Sequence, residues 1–167
     1  MTEIGRTMGK ARISRGELSA QSNNTPIKLR RLDTSDASYR ARYAAECDGI
    51  SDESKVARIE RRMRDWIKGP CHVGIVALAG ERRVGHVDGE IRGTRLVIED
   101  IYVENAYRSR GIGGRLLEAI SAEARGRGAT VVEFDTESDN LAMQRVGRRM
   151  GFTLTRLYYE RQLIDQA

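Results

Sequence analysis

The fold is decided by the stretch Arg108-Ser109-Arg110-Gly111-Ile112-Gly113-Gly114, which follows an apolar run and opens a helical pattern. A strand, a glycine-rich turn and a helix N-terminus leave backbone N–H groups free, and the helix dipole favours negative charge there. The glycines carry no side chain that would keep an anion from the backbone. The two arginines can add charge-assisted contacts. The stretch predicts a site for a phosphate-bearing ligand; the alternative is a tight strand-to-helix turn and nothing more.

Two familiar phosphate-binding motifs do not fit this stretch. No Lys-Ser or Lys-Thr pair follows the glycines, which excludes a P-loop. The third glycine comes too early for the dinucleotide fingerprint. The spacing Arg108-x-x-Gly111-x-Gly113 instead resembles the coenzyme A pyrophosphate loop of the GNAT superfamily of N-acetyltransferases. That resemblance implies acetyl-CoA as cosubstrate.

Composition limits the remaining classes of protein. The chain has 167 residues, 40% of them hydrophobic, which suits one domain. We place an acetyltransferase domain at residues 26–167, after a disordered or loosely attached tail at residues 1–25 that has no apolar periodicity. No run is long enough to span a membrane and no signal-peptide core is present. Two cysteines and two histidines show no redox or metal-ligand spacing. These features predict a cytoplasmic protein without a metal or a membrane partner.

The net charge of +5 permits contact with nucleic acid. Basic residues are nevertheless mixed with acids along the predicted helices, and only 5% of residues are aromatic. Solvated helix faces therefore explain the charge better than a nucleic-acid surface does. A small-molecule amine is the expected partner, and a homodimer is left open.

Alternating patterns predict an α/β (α+β) fold with a mixed, mostly antiparallel sheet flanked by helices. The expected order is β-α-α-β-β-β-α-β-α-β, with a three-strand meander at residues 72–79, 83–91 and 95–103. A fifth strand is predicted at residues 130–135 and a last strand at residues 153–163. This order is the one that the GNAT resemblance implies.

Further motifs extend the resemblance beyond the loop. Residues 98–103, Ile-Glu-Asp-Ile-Tyr-Val, resemble the fourth strand of the family, and Asn140 followed by Gly151-Phe152 resembles its second coenzyme motif. The resemblance implies a set of coenzyme-binding residues: Ile101, Tyr102, Val103, Arg108, Ser109, Arg110, Gly111, Ile112, Gly113, Gly114 and Asn140. It also implies that the N–H group of Ile101 or Val103 polarises the thioester carbonyl.

One position departs from the family. Gly147 stands where relatives usually carry a tyrosine that protonates the leaving thiolate. Tyr158 or Tyr159 of the last predicted strand is a candidate replacement, as is water. The alternative for both tyrosines is packing on the sheet.

Transfer to an amine requires a group that accepts a proton from the ammonium. Glu99 is our candidate for the base or for a substrate anchor. Its alternative is a buried salt bridge to an arginine of the neighbouring strand. Strict alternation would place Val97, Glu99, Ile101 and Val103 on one face and Asp100 on the other, so both acids reach the cleft only if the strand contains a bulge.

A finer resemblance concerns the acceptor. Residues 98–103, Phe134-Asp135-Thr136 and residues 157–161 are similar to stretches of the aminoglycoside 6'-N-acetyltransferases. In those enzymes, acids matching Glu99 and Asp135 line the pocket, which implies Glu99, Asp100 and Asp135 as substrate-binding residues here. Helix capping is the alternative role of Asp135. A protein or peptide amine acetyltransferase and a non-catalytic acyl-CoA-binding regulatory module are the alternative functions.

Overall fold

The computed structural model describes residues 25–156. They belong to two compact units that meet in sequence between Phe134 and Asp135. The tail predicted for residues 1–25 lies outside the described residues, apart from Thr25.

A five-stranded sheet organises the first unit, with its strands in the order β1-β2-β3-β4-β5. Neighbouring strands are antiparallel except β4 and β5, which are parallel. The predicted fold class is therefore confirmed. The strands are β1 (Ile27–Arg31), β2 (His72–Ala79), β3 (Arg82–Arg92), β4 (Arg95–Val103) and β5 (Val131–Glu133).

Three helices accompany the sheet: α1 (Ala37–Cys47), α2 (Glu53–Lys68) and α3 (Ile112–Gly126). A 3₁₀ turn at Thr34–Asp36 precedes α1, and Asp33 and Asp36 form its capping box. Asp52 caps α2, since its side chain accepts hydrogen bonds from the backbone of the first turn. Aspartates therefore cap the 3₁₀ turn before α1 and the start of α2, whereas α3 begins at a glycine.

The two faces of the sheet differ in chemistry. On one face, polar residues of β3 and β4 contact α1, as the ion pair between Arg40 and Asp88 shows. The other face is apolar, and α3 lies beside β2, β3 and β4. The buried apolar residues of β3, β4 and α3 are Val84, Val87, Leu96, Ile98, Ile112, Leu116, Leu117, Ile120 and Ala124. The core therefore anchors α3, and with it the loop that opens the helix.

A β-bulge interrupts β4 at Glu99. Asp88 pairs with Asp100, but the next residue of β3, Gly89, pairs with Ile98, so Glu99 is left without a partner. The extra residue resets the alternation, and Ile101 falls on the same face as Ile98. The strict alternation predicted from the sequence is thus wrong from Glu99 onwards, and both acids reach the face that contacts α1.

The parallel pairing of β4 with β5 is short. It covers only Arg95–Val97 on β4, against Val131–Glu133 on β5. Beyond Val97, β4 pairs with β3 alone among the described strands. Within residues 25–156, one edge of β4 therefore has no strand partner from the bulge to Val103, and we call it the open edge. The fifth strand is also shorter than the predicted residues 130–135.

The second unit contains the helix α4 (Leu141–Arg149). Asn140 caps it, since its side-chain oxygen accepts from the N–H of Met143 at 3.1 Å. Of the last predicted strand, residues 153–156 are described and are not a strand, while residues 157–163 lie outside the described residues.

None of the helices within residues 25–156 combines the length and the apolar character needed to cross a bilayer.

We expect Gly89→Ala to lower the free energy of unfolding by about 2–3 kcal/mol. A Cβ atom on Gly89 would lie 2.9 Å from the Cα atom of Ile98 and closer still to the carbonyl oxygen of Val97, so the bulge would have to move. Gly126→Ala is the matched control: its Cβ atom meets nothing within 4 Å, and we expect a gain of about 0.5 kcal/mol. Urea titrations of both variants measure the difference. Equal stability would show that β3 and β4 do not need a glycine there.

Candidate active site

The predicted anion loop has a left-handed backbone at two positions. Gly111 caps α3 with φ 75°, and Ser109 has φ 60°, a conformation that residues other than glycine seldom adopt. These turns aim backbone N–H groups outward, as in anion-binding nests. In the described part of the chain, the N–H groups of Ile112, Gly113 and Gly114 have no acceptor, because the first helical bond runs from Arg115 to Gly111. Only an anionic or polar ligand, or water, can satisfy them.

Space is available in front of these groups. A Cβ atom added to Gly111 or Gly113 would meet nothing within 4 Å. Gly113 does not have a positive φ, so neither backbone conformation nor packing requires a glycine there. Its missing side chain instead keeps the first turn of α3 accessible.

The two arginines of the loop are placed against aromatic rings. Arg108 donates from Nε to the carbonyl oxygen of Val103 at 2.9 Å, and its guanidinium carbon lies 5.9 Å from the centre of the Tyr102 ring. Arg110 lies over Tyr107 at 5.4 Å. Arg108 thus ties the loop to the end of β4, and both exposed guanidinium groups add positive charge beside the free N–H groups.

The open edge of β4 presents two backbone donors. The N–H group of Glu104 donates to Val84 of β3 at 2.9 Å, so it points toward β3. Because successive N–H groups of a strand alternate in direction, those of Ile101 and Val103 point away from β3, to the open edge. The carbonyl of Val103 shares that direction and is the one that Arg108 contacts. Donors and loop therefore meet at the same end of β4.

Glu99 is exposed rather than buried. Its carboxylate is paired with Arg92 of β3 at 2.6 Å, and 42% of its side-chain surface is accessible. Arg92 also contacts Glu90 at 3.2 Å, and Glu90 accepts from the indole of Trp66 on α2 at 2.6 Å. The salt bridge to an arginine of the neighbouring strand, predicted as the alternative role of Glu99, is present. The predicted burial of this salt bridge is wrong, because the bulge turns Glu99 out of the strand pairing.

Asp100 occupies a far more enclosed position. His86 of β3 lies with Nε2 at 3.2 Å from Asp100 Oδ2, and Arg40 of α1 has Nη1 at 3.1 Å from the same oxygen. Side-chain exposure falls to 18% for Asp100 and 0% for His86. Asp100 is therefore the point at which a buried polar cluster reaches the surface.

At the buried end of this cluster, Arg40 and Asp88 form a bidentate ion pair. Arg40 Nε and Nη2 donate to the two oxygens of Asp88 at 2.7 and 3.0 Å. Arg40 Nη1 lies within ion-pair distance of Asp100 but finds no hydrogen-bond acceptor among the described residues. One arginine thus serves two carboxylates, and with a neutral His86 the cluster carries one unbalanced negative charge.

The pKa values agree with that charge state. Burial alone would raise the pKa of Asp100, but the hydrogen bond from His86 and the charge of Arg40 outweigh it, so the pKa lies below its usual value. Burial, with a smaller contribution from Arg40, lowers the pKa of His86 and keeps its ring neutral at pH 7. Burial raises the pKa of Tyr39, which keeps its proton.

The buried partners of Asp100 were not among the residues predicted from the sequence. Arg40 lies on the buried face of α1, where its neighbours at helical spacing are Ala37, Ala41 and Ala45. A charged residue within an apolar helical face indicates a buried partner, and that signal was present in the sequence. His86 and Asp88 alternate within an apolar strand, which carries the same signal.

The remaining candidates lie in the second unit or beyond it. Asp135 and Asn140 are exposed, and the side-chain oxygen of Asn140 caps α4. Asp135 is not a helix cap, since Asn140 takes that role. Gly147 is a buried residue of α4. Tyr158 and Tyr159 lie outside the described residues.

Within residues 25–156, no group of three or more His, Cys, Asp or Glu side chains is arranged to hold a metal ion.

Comparison with known families identifies the class of protein to which this fold belongs. The Acetyltransferase (GNAT) family model matches residues 37–152, more than half of the chain. The protein therefore belongs to the GNAT family of acetyltransferases. The resemblance predicted from the loop is confirmed.

A curated relative is the L-methionine sulfoximine/L-methionine sulfone acetyltransferase of Salmonella typhimurium, 38% identical over 64 residues. The match covers 38% of this chain and 37% of that protein, so the chain aligns with little more than a third of the relative.

Similar solved structures include AAC(6')-Iy, an aminoglycoside N-acetyltransferase, in complex with the bisubstrate analogue CoA-S-monomethyl-acetylneamine. It has a TM-score of 0.69 and 16% identity, over 83% of this chain and 99% of that one. A transcriptional regulator from Bacillus halodurans has a TM-score of 0.70 and 20% identity, over 83% and 100%. At these identities the likeness shows the fold alone.

We expect Arg40→Met to lower the free energy of unfolding by about 3–5 kcal/mol, because Asp88 would stay buried without its partner. Arg92→Met is the matched control at an exposed pair, where a loss below about 1 kcal/mol is expected. Adding Asp88→Leu to Arg40→Met should restore much of the stability. Denaturant unfolding of the single and double variants measures these changes in the free energy of unfolding. A double variant no more stable than Arg40→Met would contradict the account of a buried, unpaired carboxylate.

Proposed function

We propose that this protein transfers the acetyl group of acetyl-CoA to a primary amine of a small cationic molecule, such as an aminoglycoside. The observation that carries the proposal is the juxtaposition, within the first unit, of an anion-binding loop and an open strand edge beside two carboxylates. The family assignment supports acetyl transfer, and the charge of the carboxylates supports a cationic acceptor.

Coenzyme binding is assigned to the loop and to β4. The pyrophosphate would accept from the N–H groups of Ile112, Gly113 and Gly114, and Arg108 and Arg110 would add charge. Ser109 and Gly111 hold those donors in place through their left-handed turns. The Ile101 or Val103 N–H group would polarise the thioester carbonyl and stabilise the oxyanion. The coenzyme complexes of AAC(6')-Iy support this assignment at the level of the fold. Tyr102 would lie against the coenzyme. Asn140 is also assigned to coenzyme binding, because it belongs to the second coenzyme motif.

The reaction joins an amine nitrogen to the acetyl carbon and releases coenzyme A. The acceptor arrives as an ammonium ion, which must lose a proton before its lone pair can attack the carbonyl. The C–N bond then forms, the C–S bond breaks, and the thiolate takes a proton. Because Gly147 cannot supply that proton, Tyr158, Tyr159 or water is assigned to this step.

The neighbouring carboxylates of Asp100 and Glu99 are proposed to have different roles toward the acceptor. The pKa of Asp100 is lowered, so its carboxylate stays ionised at a lower pH than usual. Asp100 therefore suits the binding of an ammonium ion. Glu99 is exposed, and among the described residues its carboxylate pairs with the exposed Arg92, which lets it accept a proton and return it to solvent. Asp135 remains a candidate for a second contact with a polycationic acceptor.

A second class of acceptor has separate support. The name of the Salmonella relative specifies small amino-acid analogues, L-methionine sulfoximine and L-methionine sulfone. An α-amine is also a primary amine that arrives protonated, and it would meet the same two carboxylates. A panel that includes aminoglycosides, these two compounds and lysine peptides separates the acceptor classes.

We expect Gly113→Glu to abolish binding of acetyl-CoA, because the new carboxylate would enter the space in front of the free N–H groups. The control is Ala122→Glu, which adds the same side chain to an exposed position of α3. Isothermal titration calorimetry with acetyl-CoA compares them, and melting curves report the fold. Wild-type affinity in Gly113→Glu would refute the coenzyme site; binding without turnover of any amine would favour a regulatory module.

Glu99→Gln should lower kcat by roughly 10²-fold and remove the acidic limb of the pH–rate profile, because a general base contributes at about that scale. Asp100→Asn should instead raise KM for the cationic acceptor with little change in kcat, as expected for an anchor. Steady-state release of thiol measures both. Wild-type kinetics in the two variants, across several amines, would show that neither acid touches the acceptor.

A further inference from the structure

A hydrogen-bonded chain runs from α1 through β3 to Asp100. The Tyr39 hydroxyl lies 3.0 Å from His86 Nδ1, and His86 Nε2 lies 3.2 Å from Asp100 Oδ2. His86 is completely buried, and the ring of Tyr43 packs edge-on against it with centroids 4.8 Å apart. The imidazole is therefore fixed in place, with one nitrogen toward a hydroxyl and the other toward a carboxylate.

The partners determine which nitrogen carries the hydrogen. An ionised carboxylate only accepts, so His86 Nε2 must be the donor to Asp100. In a neutral imidazole, Nδ1 is then an acceptor, and the Tyr39 hydroxyl must donate to it. The opposite tautomer would place two lone pairs face to face at Asp100. Both hydrogen bonds thus favour the same tautomer.

We propose that Tyr39 and His86 are positioning residues that hold the Asp100 carboxylate, charged and correctly aimed, for the ammonium group of the acceptor. This inference rests on the proposed function, in which Asp100 is the anchor. Tyr39 fixes the tautomer and His86 donates to Oδ2 of Asp100. The other oxygen, Oδ1, has no hydrogen-bond partner among residues 25–156 and would receive the acceptor. Arg40 Nη1 adds attraction without hydrogen-bond geometry.

The surroundings leave Asp100 as the group that an incoming cation neutralises. From β3 and β4, the ring of Tyr102 stacks near that of His86 at 5.9 Å, and Asp88 is already paired. The titratable and charged groups that face His86, Asp100 and the tyrosines from α1, β3, β4 and the residues after β4 are Tyr39, Arg40, Tyr43, Glu46, Cys47, Asp88, Tyr102, Glu104 and Arg108. Arg40 and Arg108 are the cations of this group, and carboxylates outnumber them. An ammonium ion at Asp100 would reduce that excess of negative charge.

Tyr39→Phe and Tyr43→Phe provide a matched pair. Both remove one hydroxyl from α1 beside the same imidazole, but only the Tyr39 hydroxyl bonds to it. Without that donor, Nδ1 is free to accept a proton, so the pKa of His86 rises. As the pH falls through the new pKa, a protonated His86 neutralises Asp100. The anchor is then intact above that pKa and lost below it.

The kinetic test uses acetyl-CoA and neamine at pH 6 and pH 8. In Tyr39→Phe we expect KM for neamine to rise by about tenfold more than in wild type on going to pH 6, the scale of a charge-assisted hydrogen bond. kcat should change little, and Tyr43→Phe should follow wild type. His86→Gln, which can still donate, should retain more affinity than His86→Leu. Identical pH profiles for the two tyrosine variants would overturn the proposal.

A second measurement needs no turnover. The chain has two histidines, so ¹⁵N-histidine NMR spectra contain two imidazoles, and His72→Gln assigns them. We expect hydrogen on His86 Nε2 at pH 7, and a shift of that nitrogen when neamine is added to wild type but not to Asp100→Asn. Hydrogen on Nδ1, or no response to saturating neamine, overturns the positioning role. Normal NMR responses without acetylation of any amine would instead overturn the proposed function.

Discussion

One extra residue in β4 governs the geometry of the site. Where Gly89 pairs with Ile98 and Asp88 with Asp100, Glu99 has no place in the ladder, and the strand must bend around it. The bend brings two consecutive acids to one face, and it coincides with the end of the pairing between β4 and β5. The free edge then turns the N–H groups of Ile101 and Val103 outward. Because of this single irregularity, two carboxylates share one face of β4, and the two outward donors and the anion loop follow along the same strand.

The buried polar cluster beneath Asp100 keeps the Asp100 carboxylate ionised. Arg40 and Asp88 are both almost fully buried, and burying two ions stabilises a fold little compared with apolar packing. Their pairing nevertheless creates a positive end, Arg40 Nη1, directed at Asp100. That charge and the His86 donor keep a half-enclosed carboxylate ionised, where burial alone would favour the protonated form. The cluster therefore fixes a charge at a chosen point rather than adding to stability.

Local sequence patterns predicted the elements that depend on neighbours along the chain. The bounds of β2 and β4 match the predictions, because alternation is a local effect. The bulge could not be predicted, since it depends on the register between β3 and β4. The same holds for Arg40 and His86, whose partners lie 48 and 14 residues away. The loop from Arg108 to Gly114 was predictable because its chemistry lies in the backbone and in consecutive residues.

The burial of both histidines has a consequence for the molecule as a whole. His72 and His86 are the only histidines of the chain, and burial lowers the pKa of each. The side chain that normally titrates near neutrality therefore takes up a proton at a lower pH than an exposed histidine would. The formal net charge of +5 is the value for neutral histidines. The long-range field that attracts anions to the surface therefore changes less with pH near neutrality than it would with two exposed histidines.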